Sequence, residues 1–314
     1  MSGSRILSLG HYQPSRVVTN DEIAQLVETN DEWIRDRVGI VTRRIAGSET
    51  VADMAAAAAE KALADSGLTA ADIDLVVVAT CTSVDRSPNV ACRVAAKLGI
   101  DAPAAFDVNT ACSGFAYALG TVDHAIRAGA SRNALVIGAE KLSEFTDWTD
   151  RSTCIIFADG AGAAVVTAAA EGEAPGVGPV VWGSVPERGD AVRIEGWRPY
   201  VKQEGQAVFR WATTALAPLA LQACERAGVD PADLAAFVPH QANSRIIDGI
   251  AKRLNIPQAI IAKDIVESGN TSAASIPLAL SKLVERREVP SGAPVLLFGF
   301  GGGLTYAGQV VRCP

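Results

Sequence analysis

Apolar positions along the chain fall into two alternating patterns. Near-continuous apolar runs of four or five residues occur at Leu75–Val78, Ala134–Ile137, Ala163–Thr167, Ala236–Pro239 and Val295–Phe298. Runs of that length without polar alternation suit strands buried on both faces. Between them lie longer stretches with apolar residues at helical spacing. Helices are predicted over Met54–Asp65 and Ala215–Ala227, each stopping at a glycine suited to a left-handed cap, Gly67 or Gly228. Pro218 falls in the first turn of the second, where a missing N–H is tolerated. Further helices are expected over 89–98 and 244–254, and from Cys112 and Ala273 onward. Strands are expected at Ala105–Val108 and Ile260–Ile265. Cys154–Phe157 and Ala163–Thr167, flanking Ala158-Asp159-Gly160, predict a hairpin. Alternating strands and helices give an α/β class whose sheets are covered by helices on both sides.

The pattern repeats. A shift of 161 residues carries Gly67 onto Gly228, Ala71-Asp72-Ile73 onto Ala232-Asp233-Leu234, Leu75–Val78 onto Ala236–Pro239, and Asn109-Thr110 onto Asn270-Thr271. The same shift carries Leu135-Val136-Ile137-Gly138 onto Leu296-Leu297-Phe298-Gly299. One offset fits three separated blocks, so the chain is expected to be two copies of a domain-sized unit, 1–170 and 171–314. The more polar, Gly- and Pro-containing stretch 171–204 bridges them.

Composition narrows the function. With 49% hydrophobic and 20% charged residues, the 314-residue chain can bury a large core. No apolar run approaches the ~18 residues that would span a membrane, and the start lacks a signal-like segment, so a cytoplasmic location is expected. A net charge of −7 is a poor match for broad nucleic-acid binding. None of the six cysteines forms a C-x-x-C pair, and the three histidines have no metal-ligand spacing.

Cys112, in Asn-Thr-Ala-Cys-Ser-Gly-Phe-Ala-Tyr, stands where a strand gives way to a helix. A thiol at a helix N-terminus meets free N–H groups, which favour the nucleophilic thiolate. The bland alternative is a small buried thiol, which suits Cys81, Cys92, Cys154, Cys224 and Cys313. A nucleophilic cysteine wants a histidine. His124 lies twelve residues along the same helix, about 18 Å away at 1.5 Å per residue. His11 sits in a polar turn and is expected to be solvated. His240 ends the strand Ala236–Pro239, at the carboxyl edge where sheet ligands collect. Asn270 precedes another helix, and the repeat sets it opposite Asn109, at the mouth of the same cleft. The run Gly299–Gly303 lacks the third glycine of a dinucleotide fingerprint; it suits close backbone approach and an oxyanion hole.

These residues resemble the β-ketoacyl-acyl-carrier-protein synthase III family, the condensing enzymes that start fatty acid synthesis. The resemblance rests on Thr29-Asn30-Asp31-Glu32-Trp33-Ile34, Ala111-Cys112-Ser113-Gly114-Phe115, Asp159–Ala163, Pro239-His240-Gln241-Ala242-Asn243, Gly269–Ser275 and Gly301-Gly302-Gly303. It implies a thiolase-like fold of two duplicated α/β halves, and a homodimer. It also implies that Cys112 takes an acyl group from acyl-CoA, with the backbone N–H groups of Cys112 and Gly302 holding the oxyanion. His240 and Asn270 would stabilise the enolate formed as malonyl-acyl carrier protein loses CO₂. Trp33, Arg37, Arg151, Thr29 and Asn243 would contact CoA, which is a substrate; no resident cofactor or metal is implied. A patch of Arg245, Lys252 and Arg253, on one face of one predicted helix, would dock the acidic carrier.

Ser87 stands where the family often has a bulky residue that closes the acyl pocket at the dimer interface, so a wider pocket is expected. Ser152 and Tyr306 also depart from the common residues, and 171–204 is short. No second cysteine lies between Val295 and Tyr306, which argues against degradative thiolysis. A priming enzyme of polyketide or other specialised metabolism with the same Cys–His–Asn set is the near alternative.

Overall fold

The computed structural model describes residues 3–196 and 200–314. Two five-stranded sheets carry the chain. The first runs Ser4–Tyr12, Asp159–Ala168, Asn133–Lys141, Leu75–Ala79, Ala104–Val108; the second runs Val181–Ser184, Thr305–Arg312, Pro294–Gly301, Ala236–Pro239, Ile260–Ile261. The two orders correspond strand for strand. The registers do too: Leu75 pairs with Ala134 in parallel, and Ala236 pairs with Val295, so the offset read from the sequence survives as a pairing register.

Helices Gly114–Arg127 and Ser275–Glu285 form the layer between the sheets. Their Phe115, Leu119, Val122, Ile276 and Leu280 join Leu75, Val77 and Val136 of one sheet and Ala236, Val238 and Leu297 of the other in one core. Burying a side chain such as Phe115 or Leu119 contributes about 1.5–3 kcal/mol. Helices Val51–Ser66 and Val90–Leu98 cover the outer face of the first sheet, and Gly205–Ala227 and Ser244–Leu254 that of the second. A helix with sheet on two sides is apolar all round, which explains Gly114, Ala116 and Ala118 in the first turns: Gly114 leaves room for Ala79 and Ala273, whose Cβ atoms a methyl would meet at 3.0 and 3.3 Å.

Several local expectations are corrected. Pro218 is interior to a helix that begins at Gly205, because Trp211, Ala212 and Leu216 pack into the outer core and draw the helix back. The expected hairpin does not form: Arg151–Cys154 is a helical turn capped by Asp150, and Asp159–Ala168 is one continuous strand between two others. The buried Asp159 carboxylate anchors that strand's start by accepting from Ser143 Oγ (2.6 Å) and Ala46 N (2.7 Å). The strand at 260 spans only Ile260–Ile261, and Ile265–Ser268 is helical. Cys92 is exposed. His11 lies in a strand, partly buried, with Nδ1 at 2.9 Å from Ser281 Oγ. The bridge 171–204 contributes Val181–Ser184 to the second sheet, while its residues 197–199 lie outside the described residues. No helix among the described residues is long and apolar enough to cross a membrane.

Candidate active site

The two middle-layer helices begin at one cleft, each behind an equivalent turn. Ala111–Ser113 and Ser272–Ala274 are single 3₁₀ turns, and each opens on a residue with positive φ: Ala111 at +45° and Ser272 at +47°. The offset of 161 relates these positions. Such angles are uncommon for residues with a side chain and cluster at functional sites.

Cys112 lies in the first turn, on the floor of a cleft of about 670 Å³ that His240 and Asn270 also line. Gly301 and Gly302 bring main chain up beside it, and the N–H groups of Cys112 and Gly302 favour its ionised form. Gly301 makes this approach possible: a Cβ there would stand 2.6 Å from Cys112 Cβ and 2.9 Å from Sγ. The thiolate expected from the helix terminus is corrected. The backbone N–H groups do pull the thiol down, yet burial outweighs them and pushes Cys112 up to about 11, so the resting group is a thiol.

His240 is held by its backbone N–H donating to Phe298 O (2.9 Å), and its ring stands edge-on to Phe300. Burial pushes it down to about 3, so it is neutral. Its tautomer follows from its partner. Ser275 Oγ lies 2.8 Å from Nδ1 and already accepts from Gln241 N–H at 3.2 Å. With the hydroxyl proton donated to Nδ1, the hydrogen sits on Nε2, which is then a donor toward the cleft.

Asn270 is fixed twice. Its backbone N–H donates to Ile156 O (3.0 Å), and its carbonyl accepts from Ala158 N–H (3.0 Å). Its side-chain oxygen accepts from Ser272 N–H at 2.8 Å, so the group it offers a ligand is the Nδ2 donor. Fully buried Arg43 steadies the same segment by donating to Ile155 O (2.9 Å) and Asn20 Oδ1 (2.8 Å).

Toward solvent the cleft is walled by Trp33, Arg37, Arg151, Asn243, Arg245, Phe209 and Arg210. Among the described residues, four arginines and no carboxylate line it, in a chain whose net charge is −7. Trp33 lies in the first turn of a helix capped by Asn30 and is covered by the Arg151 guanidinium at 5.0 Å. Asn243 Nδ2 donates to Arg37 O at 3.1 Å, tying the two halves at the mouth. Arg245 lies 5.7 Å over the Phe209 ring. Lys252 and Arg253 are exposed further along the Arg245 helix, outside the cleft. Thr29 is not in the lining; its hydroxyl is buried without a hydrogen-bond partner. Ser87 is exposed on the 83–88 segment, also outside the lining of this single chain. Arg210, Ser272, Ser275 and Glu140 are additions to the residues picked out from the sequence. Glu140 had a signal there: a lone acid ending the apolar run Ala134–Ala139.

Two family models match, "3-oxoacyl-[acyl-carrier-protein] synthase III" over residues 106–186 and its C-terminal companion over 224–313. A Streptomyces coelicolor β-ketoacyl-[acyl-carrier-protein] synthase III is 65% identical over 99% of both chains. The chain belongs to the 3-oxoacyl-acyl-carrier-protein synthase III family. A Streptomyces avermitilis member is 64% identical over all of both chains. Among solved structures, a priming β-ketosynthase from the R1128 polyketide pathway superposes with TM-score 0.97 at 42% identity, covering 100% of this chain and 97% of that one. The Aquifex aeolicus synthase III superposes with TM-score 0.94 at 40% identity, covering 99% and 100%. The fold is therefore the thiolase-like fold of this family, and the protein is a condensing acyltransferase. It joins an acyl primer to malonyl-acyl carrier protein, giving 3-oxoacyl-acyl carrier protein at the start of fatty acid synthesis.

Proposed function

We propose that the cleft carries out two charge-building steps in turn on residues Cys112, His240 and Asn270. The observation that carries this reading is their meeting at one cleft, where the Gly301-Gly302 main chain also lines the wall beside Cys112. In the first step Cys112 attacks the thioester carbon of acyl-CoA. The oxyanion develops where the N–H groups of Cys112 and Gly302 converge, and these donors need no reorganisation. CoA leaves and the acyl group stays on Cys112, against Phe157, Val192 and Phe300 at the apolar end of the cleft.

In the second step malonyl-acyl carrier protein enters. Loss of CO₂ puts negative charge on the malonyl thioester oxygen. His240 Nε2–H and Asn270 Nδ2–H are the donors for that oxygen, both neutral and both held from behind by a serine, Ser275 through its hydroxyl and Ser272 through its N–H. The carbanion then attacks the acyl-cysteine carbonyl, and the Cys112 sulfur leaves.

The four arginines suit a polyphosphorylated substrate. Trp33 and Arg151 part to admit the adenine, with Arg37 and Arg151 on the phosphates and Asn243 as a further contact. Arg245, with Lys252 and Arg253 beyond it, receives the acidic carrier. The chain works as a cytoplasmic homodimer. Two features support the dimer: Ala104–Val108 is an edge strand, and Phe106 on it is 37% exposed. Ser87 then acts on the acyl pocket of the partner copy. A second reading, priming of polyketide synthesis, is favoured by the 42% identity to the R1128 priming ketosynthase.

The test is intact-mass measurement after incubation with acetyl-, isobutyryl-, hexanoyl- and lauroyl-CoA. One acyl mass should appear, map to the Cys112 peptide and vanish in Cys112→Ala. An acyl mass undiminished in Cys112→Ala contradicts the reading.

A further inference from the structure

Gln241 follows His240 in the chain, yet it does not line the cleft. It is buried, at 1% exposure, and its amide bonds only main chain. Nε2 donates to Pro239 O at 2.8 Å and to Ala262 O at 3.2 Å, and Oε1 accepts from the Ile265 N–H at 3.1 Å. Turning the amide over would set its oxygen against two carbonyls, so the orientation is fixed.

These partners are groups at the point where regular pairing ends. Ala236–Pro239 pairs in parallel with Ile260–Ile261, and the ladder continues as Ala262 N–H donating to Phe237 O at 3.0 Å. The next rung would be residue 239 donating to Ala262 O, and proline has no N–H. The Gln241 amide supplies that donor. Its oxygen meets the Ile265 N–H, which opens the helical turn Ile265–Ser268, where Asp264 gives no side-chain cap.

The first half shows why such a link matters. Ala104, opposite Leu75, stands five residues before Asn109, whereas Ile260, opposite Ala236, stands ten before Asn270. The first ladder therefore runs on to Thr80 N–H donating to Val108 O (3.1 Å), the residue next to Asn109. The second stops early, and residues 262–269 intervene. Asn270 is held by main chain of Ile156 and Ala158 in the first half, while the His240 N–H is held by Phe298 in the second. Gln241 joins the two. Its own N–H donates at 3.2 Å to Ser275 Oγ, the hydroxyl that holds His240, and its amide reaches the segment that delivers Asn270. Lys282 Nζ stiffens that segment from the other side, at 2.7 Å from Asp264 and 2.9 Å from Ser268 Oγ.

We propose that Gln241 is a positioning residue for decarboxylation, setting the distance between the donors His240 and Asn270 through the main chain on both sides. The proposal rests on the reading that these two donors stabilise the malonyl enolate. Donors converging on one oxygen must each lie about 2.7–3.1 Å from it, so a shift of either loses the pair. Acylation of Cys112 draws instead on the N–H groups of Cys112 and Gly302, and Gln241 bonds to neither.

The experiment is a double-variant cycle on malonyl-carrier decarboxylation in Gln241→Met, Asn270→Ala and the two combined. Cys112 acylation by acetyl-CoA is followed in the same proteins. Methionine keeps the length and bulk of glutamine and removes all three amide bonds. In Gln241→Met, kcat for decarboxylation should fall about tenfold or more, toward the ~10²-fold that a displacement of about 1 Å costs, while carrier KM and acylation stay within about threefold of native. In the Asn270→Ala background the same change should cost less than about threefold, because the distance it disturbs no longer matters. Gln241→Asn keeps the amide and shortens its reach by one methylene. It should show the same split at smaller size, and it replaces Gln241→Met in the cycle if that variant fails to fold. Native decarboxylation in both Gln241 variants overturns the proposal alone. So does an equal loss in the native and Asn270→Ala backgrounds, or acylation falling as far as decarboxylation, since either marks a general structural role. Native decarboxylation in Asn270→Ala overturns the reading of the site and the proposal with it.

Discussion

Residues 109–114 and 270–275 form the same turn in the two halves, ahead of the same buried helix, with the same positive φ at the same position. One turn presents a nucleophile and the other presents its hydrogen-bonding surroundings. In the first, Cys112 follows the strained residue and Asn109 Oδ1 makes only a long contact with Ala111 N–H, at 3.4 Å. In the second, Ala273 takes the nucleophile's place, and Asn270 is clamped by main chain on both sides. Duplication supplies two helix N-termini facing one cleft, and divergence at four positions divides acyl capture from decarboxylation between them. The difference shows that the fold provides placement, and that the chemistry lies in which side chain each turn carries.

Three substitutions break or sharpen this comparison, in falling order of effect. Gly301→Ala acts on the nucleophile turn alone, since its methyl would lie 2.9 Å from Cys112 Sγ. We expect acylation to fall about 10²-fold, the scale set for a reacting atom displaced by about 1 Å. Stopped-flow acylation checks this, with far-UV circular dichroism expected to be unchanged. Ser275→Ala acts on the donor turn alone by releasing the His240 tautomer. Losing one net hydrogen bond of about 0.5–1.5 kcal/mol should slow malonyl-carrier decarboxylation up to about tenfold and leave acylation intact. CO₂ release from malonyl-carrier measures it. Arg245→Glu touches neither turn: the KM for the malonyl carrier should rise several-fold at low salt, and less at high salt, and by more than the KM for acyl-CoA, whose cleft Arg245 also lines.

The pH behaviour of the donor turn separates from that of the nucleophile. His240 is depressed to about 3 from an ordinary 6.5. Its neutral donor form therefore persists as pH falls through the ordinary histidine range, and decarboxylation should show no histidine titration between about pH 8 and about pH 5. The folded pKa lies below the unfolded one, so the stability this histidine contributes is fully present above about pH 6.5 and declines as pH falls from there toward 3. Urea unfolding midpoints of the native protein and His240→Gln across that window give the sign directly.

Much of this arrangement was legible in the sequence because it was written as pattern. The offset of 161 residues predicted the shared strand order and survives as a pairing register. Cys112, His240 and Asn270 were reachable because strand ends and helix starts announce themselves through apolar runs. What stayed hidden depends on contacts between distant segments. Nothing local indicates that Ser275, thirty-five residues away, holds His240. The protonation of Cys112 was misjudged for the same reason. A helix terminus is visible in sequence, whereas the burial that outweighs it is the sum of packing from both halves. Ser87 was singled out by resemblance, and the single chain leaves it exposed outside the cleft.

The division of labour between the two turns is tested most directly in the double variant His240→Ala/Asn270→Ala. Acyl-enzyme formation from acyl-CoA, read by intact mass, and CO₂ release from malonyl-acyl carrier protein would be measured in the same preparation. The account predicts that Cys112 still takes up one acyl group while decarboxylation falls by about two to three orders of magnitude, the scale set by loss of a charge-stabilising donor. Decarboxylation at the native rate in this variant would contradict it.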